Sequence, residues 1–411
     1  MRRIAFLGLA AMAIAVGGVI PAGAAVTPAA ARPPAASAPA ADTTTPSISG
    51  SRVSCASAKR CLAVSEKDDN AGDSTPTADA WNGTAWKRLA VPLPKGAGGG
   101  LNGVSCKQAS CLLIGYYSNN SGVYPLALTW QGKSLTRVTA PPMPAKAEDA
   151  SLGEVSCVTA KSCVMIGSAT TSAGARSVVD TWNGVKWTLH AAALPAGLAE
   201  AGFYGLSCVS ATHCVAGGMS ISKSFAALPL LASWNGKAVT MKTAPAPKGH
   251  GFATITDVSC VSATSCVATG VGGVSVSVSA SASYGFTDVL AGTTWKATTI
   301  GWPKGSASSG LTAVSCTSPR SCVAVGSDGI TNTNAANSGR AAAVSFNGKT
   351  WTVQKDVPAP AKGSASGFGG VSCVTATDCV ASGLTGKTSG NAAGPVNGVW
   401  NGKSWRLFRL P

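Results

Sequence analysis

Apolar and polar positions alternate in short bursts along residues 50–411, and two kinds of burst take turns. The first is typified by Ala313 to Gly326, A-V-S-C-T-S-P-R-S-C-V-A-V-G, where small and β-branched residues flank a turn that Ser, Thr, Ala or Lys mostly fill across the copies. Runs of that composition favour strands, so each copy predicts a hairpin. The second centres on W-N-G-x-x-W, complete from Trp81 to Trp86, Trp182 to Trp187 and Trp400 to Trp405. Asn-Gly between apolar runs signals a two-residue hairpin turn in which both central residues take positive φ. Four further copies are diluted but keep an apolar pair: Trp130 with Leu135, Trp234 with Val239, Leu290 with Trp295, and Phe346 with Trp351.

The first burst occurs seven times and contains every cysteine: Cys55/Cys61, Cys106/Cys111, Cys157/Cys163, Cys208/Cys214, Cys260/Cys266, Cys316/Cys322 and Cys373/Cys379. Successive first cysteines are 51, 51, 51, 52, 56 and 57 residues apart, which makes the chain a repeat array. Pairs this close in an exported chain predict seven local disulfides, each contributing about 2 kcal/mol by loop entropy. Zinc is the weaker alternative: the spacing is wider than C-x2–4-C knuckles, and His190, His213 and His250 recur in no register. No metal or other cofactor is called for.

Four strands per unit, seven units and a period near ~50 residues predict an all-β, seven-bladed β-propeller with one disulfide inside a hairpin of each blade. A parallel β-helix needs a far shorter coil. The series L-x-G-V-S-C, C-V-A-V-G and W-N-G-x-x-W resembles the bacterial-neuraminidase-repeat, or Asp-box, propellers over most of residues 50–411. There a V-S-F…A-V-G hairpin precedes T-x-D-x-G-x-x-W. Here Trp81, Trp182, Trp234 and Trp400 stand where that motif has its Asp, so only G-x-x-W is kept. With its excess of Ala and Gly, the chain also resembles secreted propellers of actinobacteria. The resemblance implies either a binding propeller or a sialidase-like enzyme. The latter would carry an arginine cluster, a Tyr and an acidic partner at the channel mouth.

The N-terminal stretch changes the compartment. Arg2-Arg3, an apolar run from Ile4 to Ile20 and Ala22-Gly23-Ala24 read as a signal peptide over residues 1–24, so the expected localisation is secreted and extracellular. Residues 25–49, almost all Ala, Pro, Thr and Ser, read as a disordered linker. The formal charge of +16 falls to +14 without Arg2 and Arg3. Such a monomer is drawn to polyanions. The partners this suggests are an anionic cell-wall polymer, a glycan or an extracellular protein, and no nucleic-acid motif is present.

If V-S-C is the innermost strand, the cysteine and Asn-Gly turns share one face of the disc, and the long connections 65–78, 116–125, 217–229, 271–286 and 327–340 share the other. Unequal loops on a rigid scaffold are where function usually resides. The residues before V-S-C should ring the channel mouth: Arg52, Gly103, Glu154, Gly205, Asp257, Ala313 and Gly370. Glu154 and Asp257, with Arg52 nearby, are the one constellation able to pass for paired catalytic carboxylates. Two tolerant positions that happen to be acidic are the blander account. Asp79, Asp180 and Asp288 are expected to cap strand edges or pair with Lys. The recurring V-S-C serines are expected where only a small side chain fits. Aromatics that the repeat does not demand, Tyr116, Tyr117, Tyr204 and Tyr284 foremost, are assigned to the long-loop connections as candidate ligand contacts. Two classes result: a non-enzymatic binding scaffold acting through the long-loop face, and a glycan-cleaving enzyme at the mouth.

Overall fold

The computed structural model describes residues 48–409 apart from 69–73, 120, 173, 225, 249–251, 274–282, 304–305, 331–338, 356, 359–363 and 388–393. The leader expected over 1–24 and nearly all of the linker expected over 25–49 lie outside the described residues. Twenty-eight strands, numbered in chain order, form seven four-stranded antiparallel sheets, and the described residues contain no helix. In the first sheet β1 (Ile48–Ser57), β2 (Arg60–Asp68), β3 (Ser74–Trp81) and β4 (Trp86–Leu89) lie side by side in chain order, and the other six sheets repeat this meander. The inner strands are β1, β5 (Gly98–Lys107), β9 (Ala147–Thr159), β13 (Leu198–Ser210), β17 (Phe252–Ser262), β21 (Ser306–Ser318) and β25 (Ser364–Thr375). Each packs against the next, and β1 meets β25, closing a seven-bladed propeller. No strand is exchanged between the first and last blades among the described residues.

All seven cysteine pairs form the expected disulfides, each tying directly opposite residues of the first two strands of a blade. Between blades, the apolar faces stack. Leu62, Val64 and Ala78 of the first blade meet Leu113, Leu128 and Trp130 of the second, and equivalent clusters follow around the ring. The repeated tryptophans belong to these clusters: Trp81, Trp130, Trp182 and Trp234 are all buried.

The V-S-C serines do more than fit. Ser54 Oγ accepts the backbone N–H of Cys106 at 2.9 Å, and the same bond repeats from blade to blade. Cys157 donates to Ser105, Cys208 to Ser156, Cys260 to Ser207, Cys316 to Ser259 and Cys373 to Ser315. Cys55 closes the circle by donating to Ser372 at 3.0 Å. The inner face of each inner strand has no sheet neighbour, so its N–H groups need side-chain acceptors. Seven serines supply them, and the ring is thereby sealed by seven directional hydrogen bonds.

The cysteines stand on the two strands that flank each turn, as the pattern implies, and the second of each pair is also part of the core: Cys61, Cys111, Cys163, Cys214, Cys266, Cys322 and Cys379 are all buried, between 0% and 3% exposed, one in each of the seven apolar clusters. The reason is register. These residues lie on the second strand of the blade, with the first cysteine opposite on one side and, in six of the seven blades, an aromatic ring opposite on the other: Trp81 faces Cys61, Trp130 faces Cys111, Trp182 faces Cys163, Trp234 faces Cys214, Phe346 faces Cys322 and Trp400 faces Cys379. Each bridge thus adds apolar packing to its cross-link, as buried cysteine sulfur does.

The Asn-Gly turns are four-residue connections, not two-residue ones: Trp81 pairs with Trp86, and Asn82 N–H donates to Ala85 O at 3.2 Å. Only the glycine has positive φ, +99° at Gly83. Asn82 works instead through its side chain, Oδ1 accepting the N–H groups of Thr84 and Ala85 at 2.9 and 2.8 Å, the Asx-turn use of Asn. Asn183, Asn235, Asn347 and Asn401 do the same. The long connections are corrected as well. Strands run far into them: β6 (Ser110–Asn119) and β7 (Gly122–Trp130) leave only residues 120–121 between them, whereas β18 (Ser265–Gly273) and β19 (Ser283–Ala291) leave 274–282. Tyr116, Tyr117, Tyr204 and Tyr284 therefore sit on strands, and Phe203, Phe286 and Phe368 are core.

Candidate functional site

Every inner strand carries a β-bulge immediately before its X-V-S triplet, for instance between Leu101 and Gly103, Phe203 and Gly205, and Ile255 and Asp257. An extra residue re-aims the side chain after it. The seven triplets then line a central channel of about 190 Å³, with Arg52, Glu154 and Asp257 among its walls. That is below the ~300–1,000 Å³ of ordinary small-molecule sites. Bulged residues also tie blades together: Asn102 Nδ2 donates to Leu152 O at 2.9 Å, and the hydroxyls of Thr256 and Thr312 donate to Leu311 O and Phe368 O at 2.7 Å.

The structure brings Arg52, Glu154 and Asp257 to one place, as the spacing implies. Arg52 Nε donates to Glu154 Oε2 at 3.0 Å, its NH2 to Tyr204 O at 3.0 Å, and its NH1 to Ser51 O and Gly369 O at 3.4 Å. One side chain from the first blade thus reaches the third, fourth and seventh, a crossbar over the channel. Glu154 Oε1 accepts Val155 N–H at 3.0 Å. Asp257 Oδ1 accepts Val258 N–H at 2.8 Å and Oδ2 accepts Val314 N–H at 2.9 Å, the latter across a blade boundary.

Glycine makes the room. A Cβ on Gly103 would stand 2.4 Å from Glu154 Oε1, and one on Gly205 would stand 2.5 Å from Asp257 Oδ1. On Gly370 it would meet Arg52 Cα at 3.0 Å. The charged residues occupy blades one, three and five, and each leans over a glycine of the blade before it. Burial pushes the Glu154 carboxyl up to about 7, against the pull of Arg52 and of Val155 N–H, and the nearby Asp257 adds to the rise. Burial also pushes Asp257 up to about 6, opposed by Arg52 and by the two backbone donors.

The cysteines take no part in this site. No cysteine lines the channel, and the second cysteine of every pair, Cys61, Cys111, Cys163, Cys214, Cys266, Cys322 and Cys379, is buried between blades, so the bridges serve the scaffold.

The tyrosines are not gathered around this mouth. Tyr116 Oη donates to Glu66 Oε1 at 2.5 Å, linking the second blade to the first. Tyr117 stacks on Tyr124 with centroids 5.2 Å apart, and the Arg137 guanidinium lies 5.3 Å from its ring. Tyr204 supplies a carbonyl to Arg52, while its hydroxyl is buried without a partner. Tyr284 is 36% exposed, on the fifth blade.

Asp79, Asp180 and Asp288 depart from expectation. They are not on strand edges but buried in third strands, 3%, 0% and 0% exposed. Asp79 meets Arg88 at 2.6 Å. Leu189 and Ala297 stand opposite the other two, where Arg88 stands opposite Asp79. Neither carboxylate oxygen of Asp180 or Asp288 has a hydrogen-bond partner, and burial pushes both groups up to about 7. They occupy blades three and five, as Glu154 and Asp257 do.

No family model matches this chain, and no curated protein matches it. Solved propellers do. An ulvan lyase, a polysaccharide lyase bound to a GlcA–Rha3S saccharide, is 7% identical with a TM-score of 0.55, over 85% of this chain and 92% of its own. The β-propeller domain of the trilobed protease from Pyrococcus furiosus is 9% identical, TM-score 0.48, over 89% and 98%. YCF48 bound to a D1 peptide is 14% identical, TM-score 0.47, over 89% and 94%. At such identities the likeness is one of fold.

Proposed function

We propose that this protein is a secreted, non-catalytic binding scaffold that engages a cell-wall polymer, glycan or extracellular protein through its long-loop face. The crossbar carries the reading. Arg52 spans the mouth, and each oxygen of Glu154 and Asp257 already accepts a hydrogen bond from Arg52 or a backbone N–H. Carboxylates committed in this way hold the blades in register. Recognition is then left to the rim, where connections range from residues 120–121 in one blade to 274–282 in another and where Tyr284 is exposed. Seven disulfides and the N-terminal leader pattern support an extracellular setting.

The test is a binding screen of the purified chain on whole cell wall and a glycan panel, repeated with Tyr117→Ala and Tyr284→Ala. Stacking contacts tolerate salt, whereas exposed charge attraction fades as the Debye length shrinks from ~10 Å at 0.1 M to ~3 Å at 1 M. Salt-resistant binding that weakens in either variant supports the loop face. Binding that is untouched by both variants and vanishes at 1 M salt would remove it. One observation favours the enzymatic reading: Asp257 adds to the rise of Glu154, and the two carboxyls are raised to about 6 and 7 respectively, the range of working acid–base groups.

A further inference from the structure

The disulfide face is far from bland in charge. Its cysteine turns carry Lys59, Arg60, Lys107, Lys161 and Arg320, and its glycine turns carry Lys133, Lys186, Lys237, Lys349 and Lys403. Against these ten cations stands one acid, Asp378, although the whole chain has one acid for every two bases. The adjoining outer strands add Lys87, Arg137, Lys242, Lys296 and Arg406 and contain no acid. Acids lie elsewhere: Glu66, Asp68 and Glu200 toward the long-loop face, Glu154 and Asp257 in the channel.

The cations are also held in place. A Cβ on Gly83 would meet Lys59 Cγ at 2.7 Å, one on Gly184 would meet Lys161 Cγ at 2.8 Å, and one on Gly348 would meet Arg320 Cγ at 2.7 Å. In three blades, then, the basic stem of the cysteine turn lies flat across the glycine of the neighbouring turn while its head stays in water, as long cationic side chains do. Arg60 reaches the next blade, with NH2 2.6 Å from Ala109 O and the guanidinium 4.8 Å from the Trp130 ring. Pre-ordered stems lower the entropy lost on binding. The large apolar side chains exposed here among the described residues are Val185 and Val374, on separate blades, which is little to insert into a lipid interface.

We propose that the disulfide face is a second binding surface, taking a soluble linear polyanion such as a phosphodiester or uronate polymer, so that the disc presents different chemistry on its two sides. The test compares two charge-matched triple variants. One is Lys133→Glu/Lys186→Glu/Lys237→Glu, on adjacent glycine turns. The other is Lys95→Glu/Lys223→Glu/Lys248→Glu, on the opposite side, where all three residues are exposed. Both lower the net charge equally. Their affinities for poly(glycerol phosphate) and polygalacturonate are measured by calorimetry at 50 and 200 mM NaCl, with melting curves to confirm folding.

The unmodified protein should bind, and lose about tenfold or more in affinity between the two salts, as multi-contact polyanion binding does. The disulfide-face variant should lose at least tenfold, and the opposite variant less than twofold. Equal losses would mean attraction by total charge with no defined surface, and absence of binding at 50 mM would overturn the proposal. So would binding to phosphatidylglycerol vesicles but to neither polymer. Salt-resistant contacts of the long-loop face should survive in the disulfide-face variant, which separates this surface from the function proposed above.

Discussion

Asp180 and Asp288 give the sharpest consequence of the fold. Each carboxyl is fully buried with both oxygens unpartnered and is pushed from 3.8 up to about 7 by loss of water. At 1.36 kcal/mol per pKa unit, ionising either in place costs about 4 kcal/mol relative to the unfolded chain. The folded state therefore holds a proton that the unfolded chain releases above about pH 4. Stability is highest below the unfolded value, falls as pH rises through the window from about 4 to 7, and levels above it. Asp180→Asn/Asp288→Asn removes the charge while keeping the shape. At pH 8 the double variant should be more stable than the parent by an amount on the order of 8 kcal/mol at most, and at pH 4 the two should be nearly alike. Thermal melts at fixed scan rate between pH 4 and 8 read this out, at about 2 °C per kcal/mol for a chain of this size. A difference between parent and variant that does not change with pH would refute the reasoning, because it would mean that the two carboxyls ionise freely.

Two other outcomes follow from the ring itself. Ser105→Ala leaves the buried N–H of Cys157 without its acceptor and should cost about 1–3 kcal/mol; a change within ~0.3 kcal/mol by chemical denaturation would mean that channel water replaces the hydroxyl. Gly103→Ala drives a methyl against Glu154 Oε1, 2.4 Å away, and Val155 N, 3.1 Å away. It should lower the melting temperature more than Gly197→Ala, where nothing lies within 4 Å and only the positive φ resists; the reverse order would contradict the crossbar geometry.

The architecture was legible because its signals are local and repeated: a cysteine pair five or six residues apart and an apolar pair around each glycine turn. The grouping of Arg52, Glu154 and Asp257 followed from the same period. What stayed hidden depends on partners a whole blade away or on register. Nothing local in V-S-C says that Ser54 accepts from Cys106, fifty-odd residues later. The pairing of Cys55 with Cys61 could be read from spacing, but the burial of Cys61 opposite Trp81 needs the register of a third strand. The bulge before each triplet has no residue signature, since Asn102, Gly153, Tyr204, Thr256 and Thr312 all occupy it. Phe203 and Phe286 lie outside the repeated motif, yet alternation along strands longer than expected turns them into the core. Asp180 and Asp288 looked like edge residues because the basic partner that Asp79 finds in Arg88 was assumed for all three.

The central claim, binding without catalysis at a channel mouth spanned by Arg52, is met most directly by following binding and cleavage together. The purified chain is incubated with cell-wall polymer and the glycan panel from pH 5 to 8, and bound protein and newly formed chain ends are measured in the same samples. Saturable binding with no new ends at any pH, unaltered in Glu154→Gln and Asp257→Asn, is the expected result. Release of chain ends that disappears in either variant would contradict it.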